Sequence, residues 1–434
     1  MQVIKYPEKK DWEAILKRPS FDASVLEDTV RNILHEVKEK GDEAVKRFTL
    51  QFDKVDLPDL LVDKNEIDQA GDHLSEDLKG AIVTAKNNIE KFHATQLMTP
   101  EYVETMPGVQ CWRKPFPIEK VGLYIPGGSA PLFSTILMLG IPAKLAGCEH
   151  IILCTPPDTA GKLNNAILFA AKLVGITRIF RVGGVQAIAA MSYGTTSIPK
   201  VHKIFGPGNQ YVTCAKQMVQ KEGVAIDLPA GPSELAIYAD ETANPAFIAA
   251  DLLSQAEHGV DSQVLLVTDH QLLIDAVVVA LDKQLVDLPR KNIAARALEN
   301  SKIILVKNEI EAIAFLNEYA PEHLILACAD PDEVAEKITN AGSVFLGEYS
   351  PESAGDYASG TNHTLPTNGY AKAYSGVSVD SFLKKITFQK LSKAGLRNIG
   401  KTIEVMAEAE GLQAHANAVR IRRKQLDNND NQTH

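Results

Sequence analysis

From about residue 121 to residue 346 the chain alternates between two patterns. Short, continuously apolar runs (VGLYI, HIILC, TRIFRV, KIF) are separated by longer segments whose apolar residues recur at helical spacing. Those segments are FSTILMLGIPAKLAG, LNNAILFAAKLVG, QAIAAMSYG and QYVTCAKQMVQKEG. After a PAGPS turn the alternation resumes. ELAIYAD, QVLLVTD, KIILVK, HLILAC and SVFLGE read as strands, and AFIAADLLSQAEH, QLLIDAVVVALDKQLVD, EIEAIAFLNEYA and PDEVAEKIT as helices. Strands apolar along their whole length are buried on both faces, which a parallel sheet covered by helices requires. The pattern predicts an α/β protein with two related, open, mostly parallel-sheet domains over roughly 121–231 and 232–346.

Around these blocks the period changes. Residues 1–17 read as an N-terminal extension. Residues 23–99 read as mostly helical, with a stop at Gly41, and are expected to pack with the second block. His35, His73 and His93 fall on what read as solvated or interface faces of those helices. β-rich pieces are expected around 109–113 and 121–125, a return to helix over 376–425, and disorder after Leu426 (DNNDNQTH). The resulting division is 1–17, 18–120 with 232–375, 121–231, and a C-terminal helical tail over 376–434.

The chain has 434 residues and a net charge of −10. It is long enough for more than one core, and its acidity argues against a nucleic-acid surface, which needs a basic patch. The one basic run, RIRRK at 420–424, reads as a solvated helix face. Five scattered cysteines (Cys111, Cys148, Cys154, Cys214, Cys328) form no CxxC pair and fit reduced thiols of a cytoplasmic protein. The N-terminal stretch has no signal-peptide core, and no apolar run reaches membrane-spanning length.

Candidate chemistry is expected in the loops after strands, because ligands of open α/β sheets bind beyond the carboxyl ends of the strands. In the first block three are glycine-rich: IPGGSAP (125–131), RVGGVQA (181–187) and FGPGNQY (205–211). Glycine lets backbone approach a phosphate, and a following helix N-terminus favours anions. None matches GxGxxG, and a tight turn explains each singly but less easily all three together. In the second block DLLSQAEHG sets Gln255 and His258 three apart, on one face of a helix that Gly259 ends. An amide oxygen and an imidazole there suit a borderline metal such as zinc, although a plain polar helix end is the simpler account of the pair taken alone. PAGPSE (229–234) precedes a strand, and YAPEHLIL (319–326) puts Glu322 beside His323, a pairing suited to general acid–base work and also found at ordinary strand edges. The long loop over 349–367 carries Glu352, Asp356 and His363, and Glu410 and His415 lie on or beside a late helix. Gln255, His258, Asp356 and His415 would form an N/O zinc site, but their spacing does not establish them as a set.

At these residues the chain resembles the histidinol dehydrogenase family. AIDLPAGPSELAIYAD, NPAFIAADLLSQAEHGVDSQVLLVT, VGLYIPGGSAPLFSTILML, KIFGPGNQYV, YAPEHL and GSVFLGEYSPESAGDYASGTNHTLPT are similar to its motifs, from about Ala23 to Val419. One departure is Val260, where proline is usual after EHG. The resemblance implies incomplete Rossmann-like domains and a two-step, NAD-dependent oxidation of L-histidinol to L-histidine through the aldehyde. It implies one Zn2+ held by Gln255, His258, Asp356 and His415. Substrate would be gripped by those residues with Ser233, His323 and Glu410. Glu322 and His323 would be the acid–base pair, and Tyr124, Gln186 and Asn209 would contact NAD through the 121–231 domain. It also implies a homodimer in which the C-terminal segment, with Glu410 and His415, completes the partner's site.

Two other classes compete. A zinc hydrolase would never produce NADH from an amino alcohol, and the glycine loops count against it. A two-lobed binding protein would need neither Glu322 nor His323. His150, His202, His270, His363 and His434 carry no assigned role.

Overall fold

The computed structural model describes residues 1–19, 23–127, 131–228 and 231–431. The chain divides into a larger unit, Met1–Gln96 with Ile118–Phe382, and a smaller one, Leu97–Pro117 with Leu383–His434. The described strands are β1 (Gln2–Lys5), β2 (Tyr102–Met106), β3 (Val109–Pro117), β4 (Lys120–Tyr124), β5 (His150–Thr155), β6 (Arg178–Arg181), β7 (Lys203–Phe205), β8 (Ala225–Ile226), β9 (Glu234–Ala239), β10 (Gln263–Thr268), β11 (Lys302–Leu305), β12 (His323–Ala327), β13 (Ser343–Leu346) and β14 (Leu383–Leu391).

The larger unit contains two wholly parallel sheets. One has the order β6-β5-β4-β7-β8 and the other β1-β11-β10-β9-β12-β13. Counted from the first strand of each block, both run 3-2-1-4-5, so the two blocks are related in topology as the alternation predicted. Each has a switch point, β4/β7 in one and β9/β12 in the other, where neighbouring strands send their connections opposite ways and open a crevice. The strands are buried end to end: every residue of β9, β10 and β12 is in the core.

Four expectations are corrected. First, residues 1–17 are not an appendage. β1 pairs with β11, and Trp12 is buried edge-on to Phe315. A four-residue strand carries almost no periodicity, and its partner lies some 300 residues away. Second, the helices Ala23–Lys40 and Asp42–Asp53 pack on the first block, not the second. Val30, Leu34, Val37, Val45 and Phe48 share a core with Tyr124, Ile152, Phe180 and Ile188. Helical spacing shows that a face must be covered but not which sheet covers it. Third, His93 is fully buried on the helix Glu76–Ala94, with Nδ1 2.9 Å from the Gln96 amide oxygen. Fourth, the end of the chain is not all helix and loop. β14 forms an antiparallel sheet with β3 and β2 in the smaller unit, beside the helix Lys393–Ala409. The lysine-rich LKKITFQKL carries no strand signal of its own and has no buried residue even when paired with β3. The last helix, Gln413–Asn431, runs through most of the tail expected to be disordered.

No helix among the described residues is long and apolar enough to cross a membrane.

Candidate active site

The carboxyl ends of β4, β5, β6 and β7 surround a cavity of about 780 Å³. Pro126 and Gly127, Gly184 to Gln186, and Asn209 with Tyr211 line it, so the three glycine loops converge as expected. Residues 128–130 of the first loop lie outside the described residues. Gly206 shows why glycine is needed here: at φ +124° a Cβ would sit 1.9 Å from the Tyr124 carbonyl oxygen. Helix starts at Asn164, Gly184 and Asn209 all reach this cavity, and the positive ends of their helix dipoles favour an anion. The Tyr124 hydroxyl accepts the Gly184 N–H at 3.1 Å, leaving its own proton to donate. Asn209 caps the helix Gln210–Lys221 through its side-chain oxygen, so its amide hydrogens are the part left for a ligand. Gln186 is buried, and neither atom of its amide has a hydrogen-bond partner in the protein. Asp53 also lines the cavity. Burial pushes its carboxyl up to about 6, and its Oδ2 is buried without a partner.

The second constellation sits at the amino ends of the six-stranded sheet, the edge opposite the one usual for ligands. Glu322 immediately precedes β12 and His323 begins it; both are buried. Glu322 Oε2 accepts the backbone N–H of Glu234 at 2.9 Å. His323 Nδ1 lies 3.3 Å from the Glu234 carbonyl oxygen, 3.7 Å from Glu322 Oε2 and 3.6 Å from Glu352 Oε1. Acceptors on that side place a proton on Nδ1. Nε2 is 3.6 Å from Asp356 Oδ1 and has no hydrogen-bond partner in the protein. Burial raises Glu322 and Glu352 above the usual carboxylate range, although His323 pulls both back. Burial opposes charge on His323, but Glu322, Glu352 and Asp356 outweigh it and hold the imidazole well above its ordinary value. Three carboxylates around one imidazole make a proton-sharing cluster, a common mark of acid–base sites.

His258, Glu352 and Asp356 bring one ligand atom each to within 4.8 Å of one another. His258 follows the helix Pro245–Ala256, and Gln255 lies on its last turn, fully buried, with neither amide atom partnered in the protein. An imidazole and two carboxylates together, with an orphaned buried amide three residues before that imidazole, offer the nitrogen and oxygen donors that zinc accepts. The structure thus joins His258 and Asp356 from the expected ligand set. Glu352 is a member that the sequence reading missed. The signal was there: Glu352 and Asp356 are four apart in the helix Glu352–Tyr357 and share its face. Glu410 and His415 belong to the smaller unit. Glu410 caps the helix Lys393–Ala409 and His415 opens the next one, both exposed. Ser233 directly precedes β9. His363, left without a role, is half-buried, with Nε2 3.0 Å from Thr135 Oγ1 and Nδ1 2.9 Å from the Asp356 carbonyl oxygen. The Val260 side chain is exposed, and the turn it interrupts is kept by Ser262 N–H donating to Gly259.

Residues 16–423 match the family model described as histidinol dehydrogenase. A histidinol dehydrogenase from Bacteroides thetaiotaomicron is 60% identical over 97% of this chain and 99% of its own length. One from Yersinia pestis is 52% identical over 96% and 94%. The crystal structure of histidinol dehydrogenase from Elizabethkingia anophelis superimposes with a TM-score of 0.96 at 56% identity, covering 98% of this chain and 99% of that one. With the family model matching residues 16–423 and a 60% identical relative covered over 99% of its length, the chain belongs to the histidinol dehydrogenase family.

Proposed function

We propose that this chain oxidises L-histidinol to L-histidine in two successive hydride transfers to NAD, on a site holding one zinc ion. The observation that carries the reading is the convergence of His258, Glu352 and Asp356 directly beside the Glu322–His323 pair, with the unpartnered, buried Gln255 amide three residues before His258 in the chain. Family membership counts against the zinc-hydrolase and binding-protein alternatives.

Gln255, His258 and Asp356 are the proposed zinc ligands from this chain, with His415 from a second copy as the fourth. Glu352 is close enough to take part. Bound zinc would act as a template for the substrate's amine and imidazole. Ser233 and Glu410 orient the amino alcohol. His323 takes the alcohol proton on Nε2, the nitrogen without a partner, as hydride leaves carbon for the nicotinamide; zinc on Asp356 would neutralise one of the carboxylates that otherwise keep this imidazole charged. Glu322 accepts a proton from the water that adds to the aldehyde. As the water adds, His323 returns its proton to the aldehyde oxygen, so a diol forms; the diol is the hydride donor of the second step, and His323 then takes the proton released there. Tyr124, Gln186 and Asn209 bind the dinucleotide in the cavity of about 780 Å³, a size in the range of cofactor sites. The trans contribution of Glu410 and His415 makes the active form a homodimer, placed in the cytoplasm with the other soluble enzymes of histidine biosynthesis.

The test is the stoichiometry of NADH. Two NADH per histidinol consumed, abolished by a chelator and restored by zinc, is the expected result. One NADH per histidinol, or turnover indifferent to metal, would overturn the scheme.

A further inference from the structure

Arg18 lies far from the sequence motifs, yet it is packed into the foundations of the acid–base pair. Its side chain is 13% exposed and that of Glu234 2%. The guanidinium forks onto Glu234, with Nε donating to Oε1 at 2.8 Å and Nη2 to Oε2 at 3.0 Å. Nη2 also donates to the Tyr319 carbonyl at 2.6 Å, and the guanidinium carbon stands 4.0 Å from the Tyr319 ring centroid. Glu234 Oε1 additionally accepts the Asn368 N–H at 2.7 Å. One side chain thus ties together the start of β9, the turn before β12 and the end of the long loop that carries Glu352 and Asp356.

The same Glu234 holds the reacting groups through its backbone. Its N–H donates to Glu322, and its carbonyl faces His323 Nδ1. The turn that Arg18 grips includes Ala320 at φ +51°, a left-handed conformation that an alanine adopts only under outside constraint. Glu322 follows two residues later. We infer that Arg18 is a positioning residue for this reaction: through Glu234 and the 319–320 turn it sets the placement of Glu322 and His323. A lysine cannot substitute fully, because a single ammonium does not reproduce a planar fork onto a carboxylate and a carbonyl at once.

The inference rests on the acid–base roles proposed for Glu322 and His323. Its test therefore compares the parent, Arg18→Met, Arg18→Lys and His323→Asn as full-length protein with zinc, with kcat expressed per folded molecule counted by circular dichroism. Misplacement by about 1 Å costs on the order of 10²-fold in rate. Arg18→Met should therefore lose roughly 10²-fold in kcat, with KM for NAD within about twofold of the parent. Arg18→Lys should recover part of the loss. A merely structural role would lower the yield of folded protein and leave kcat per folded molecule unchanged. A folded Arg18→Met with kcat within about twofold of the parent overturns the inference. If that variant does not fold, Arg18→Lys decides on the same criterion. Should His323→Asn turn over normally, the acid–base reading itself fails and takes this inference with it. If His323→Asn is slow while both Arg18 variants are fast, only the inference falls.

Discussion

Gln255, proposed as a zinc ligand, offers a direct test of whether a residue is kept for ligand binding at the expense of stability. It is fully buried, and both its amide oxygen and nitrogen lack protein partners. A buried polar group left unsatisfied costs about 1–3 kcal/mol, whereas an apolar swap of similar volume costs under about 1.5 kcal/mol. Gln255→Met should therefore stabilise the metal-free protein by about 2 kcal/mol. Unfolding entropy of about 2 cal/mol/K per residue, over a unit of several hundred residues, converts this into a rise in Tm of about 3 °C. With zinc the order should change. At a thousandfold excess over Kd, ligation contributes about 4 kcal/mol to the parent, a shift of about 6 °C. Loss of one ligand, taken as about 100-fold in affinity, would leave the variant a shift of only about 2 °C. Paired melts of parent and variant, each with chelator and with zinc, read all four values. If Gln255→Met melts lower than the parent without metal, the amide was not a burden. If zinc raises both proteins equally, Gln255 is not a ligand.

His323→Asn should slow turnover by about 10²–10⁴-fold while the protein still binds stoichiometric zinc; parallel loss of metal would make His323 a ligand instead of the base. Glu322→Gln should impair oxidation of supplied histidinal more than that of histidinol, and equal slowing of both would contradict its role towards water. Zinc affinity should fall as pH drops from 8 to 5.5, because burial holds Glu352 protonated above the usual carboxylate range and the ion must displace that proton; an affinity independent of pH over this interval would refute the ligand set. Asp53 is raised to about 6 from 3.8 in the folded state, so its contribution to stability is present below the lower value and lost as pH rises through the upper one. Asp53→Asn should therefore stabilise the protein at pH 8 and have little effect near pH 4; equal changes in Tm at both pH values would contradict this.

The strands and most helices of both parallel sheets were legible because their signal is local. Runs such as ELAIYA and QVLLVT are apolar at every position, and only a sheet covered on both faces needs that. The glycine loops, Gln255 with His258, and Glu322 with His323 were legible for the same reason, since each is a short stretch with its own chemistry. What joins these stretches is not local. Glu352 entered the candidate metal-ligand group because its helix brings it close to His258, some ninety residues earlier in the chain, and Arg18 reached Glu234 across more than two hundred. The strand character of Gln2–Lys5 and Leu383–Leu391 existed only once β11 and β3 offered unpaired backbone groups. The side of the molecule that the helices over 23–53 cover was likewise settled by where a bare sheet face remained. Periodicity is written into neighbouring residues by the geometry of one element. Pairing, burial of charge and convergence of ligands depend on distances between elements, which only the folded chain sets.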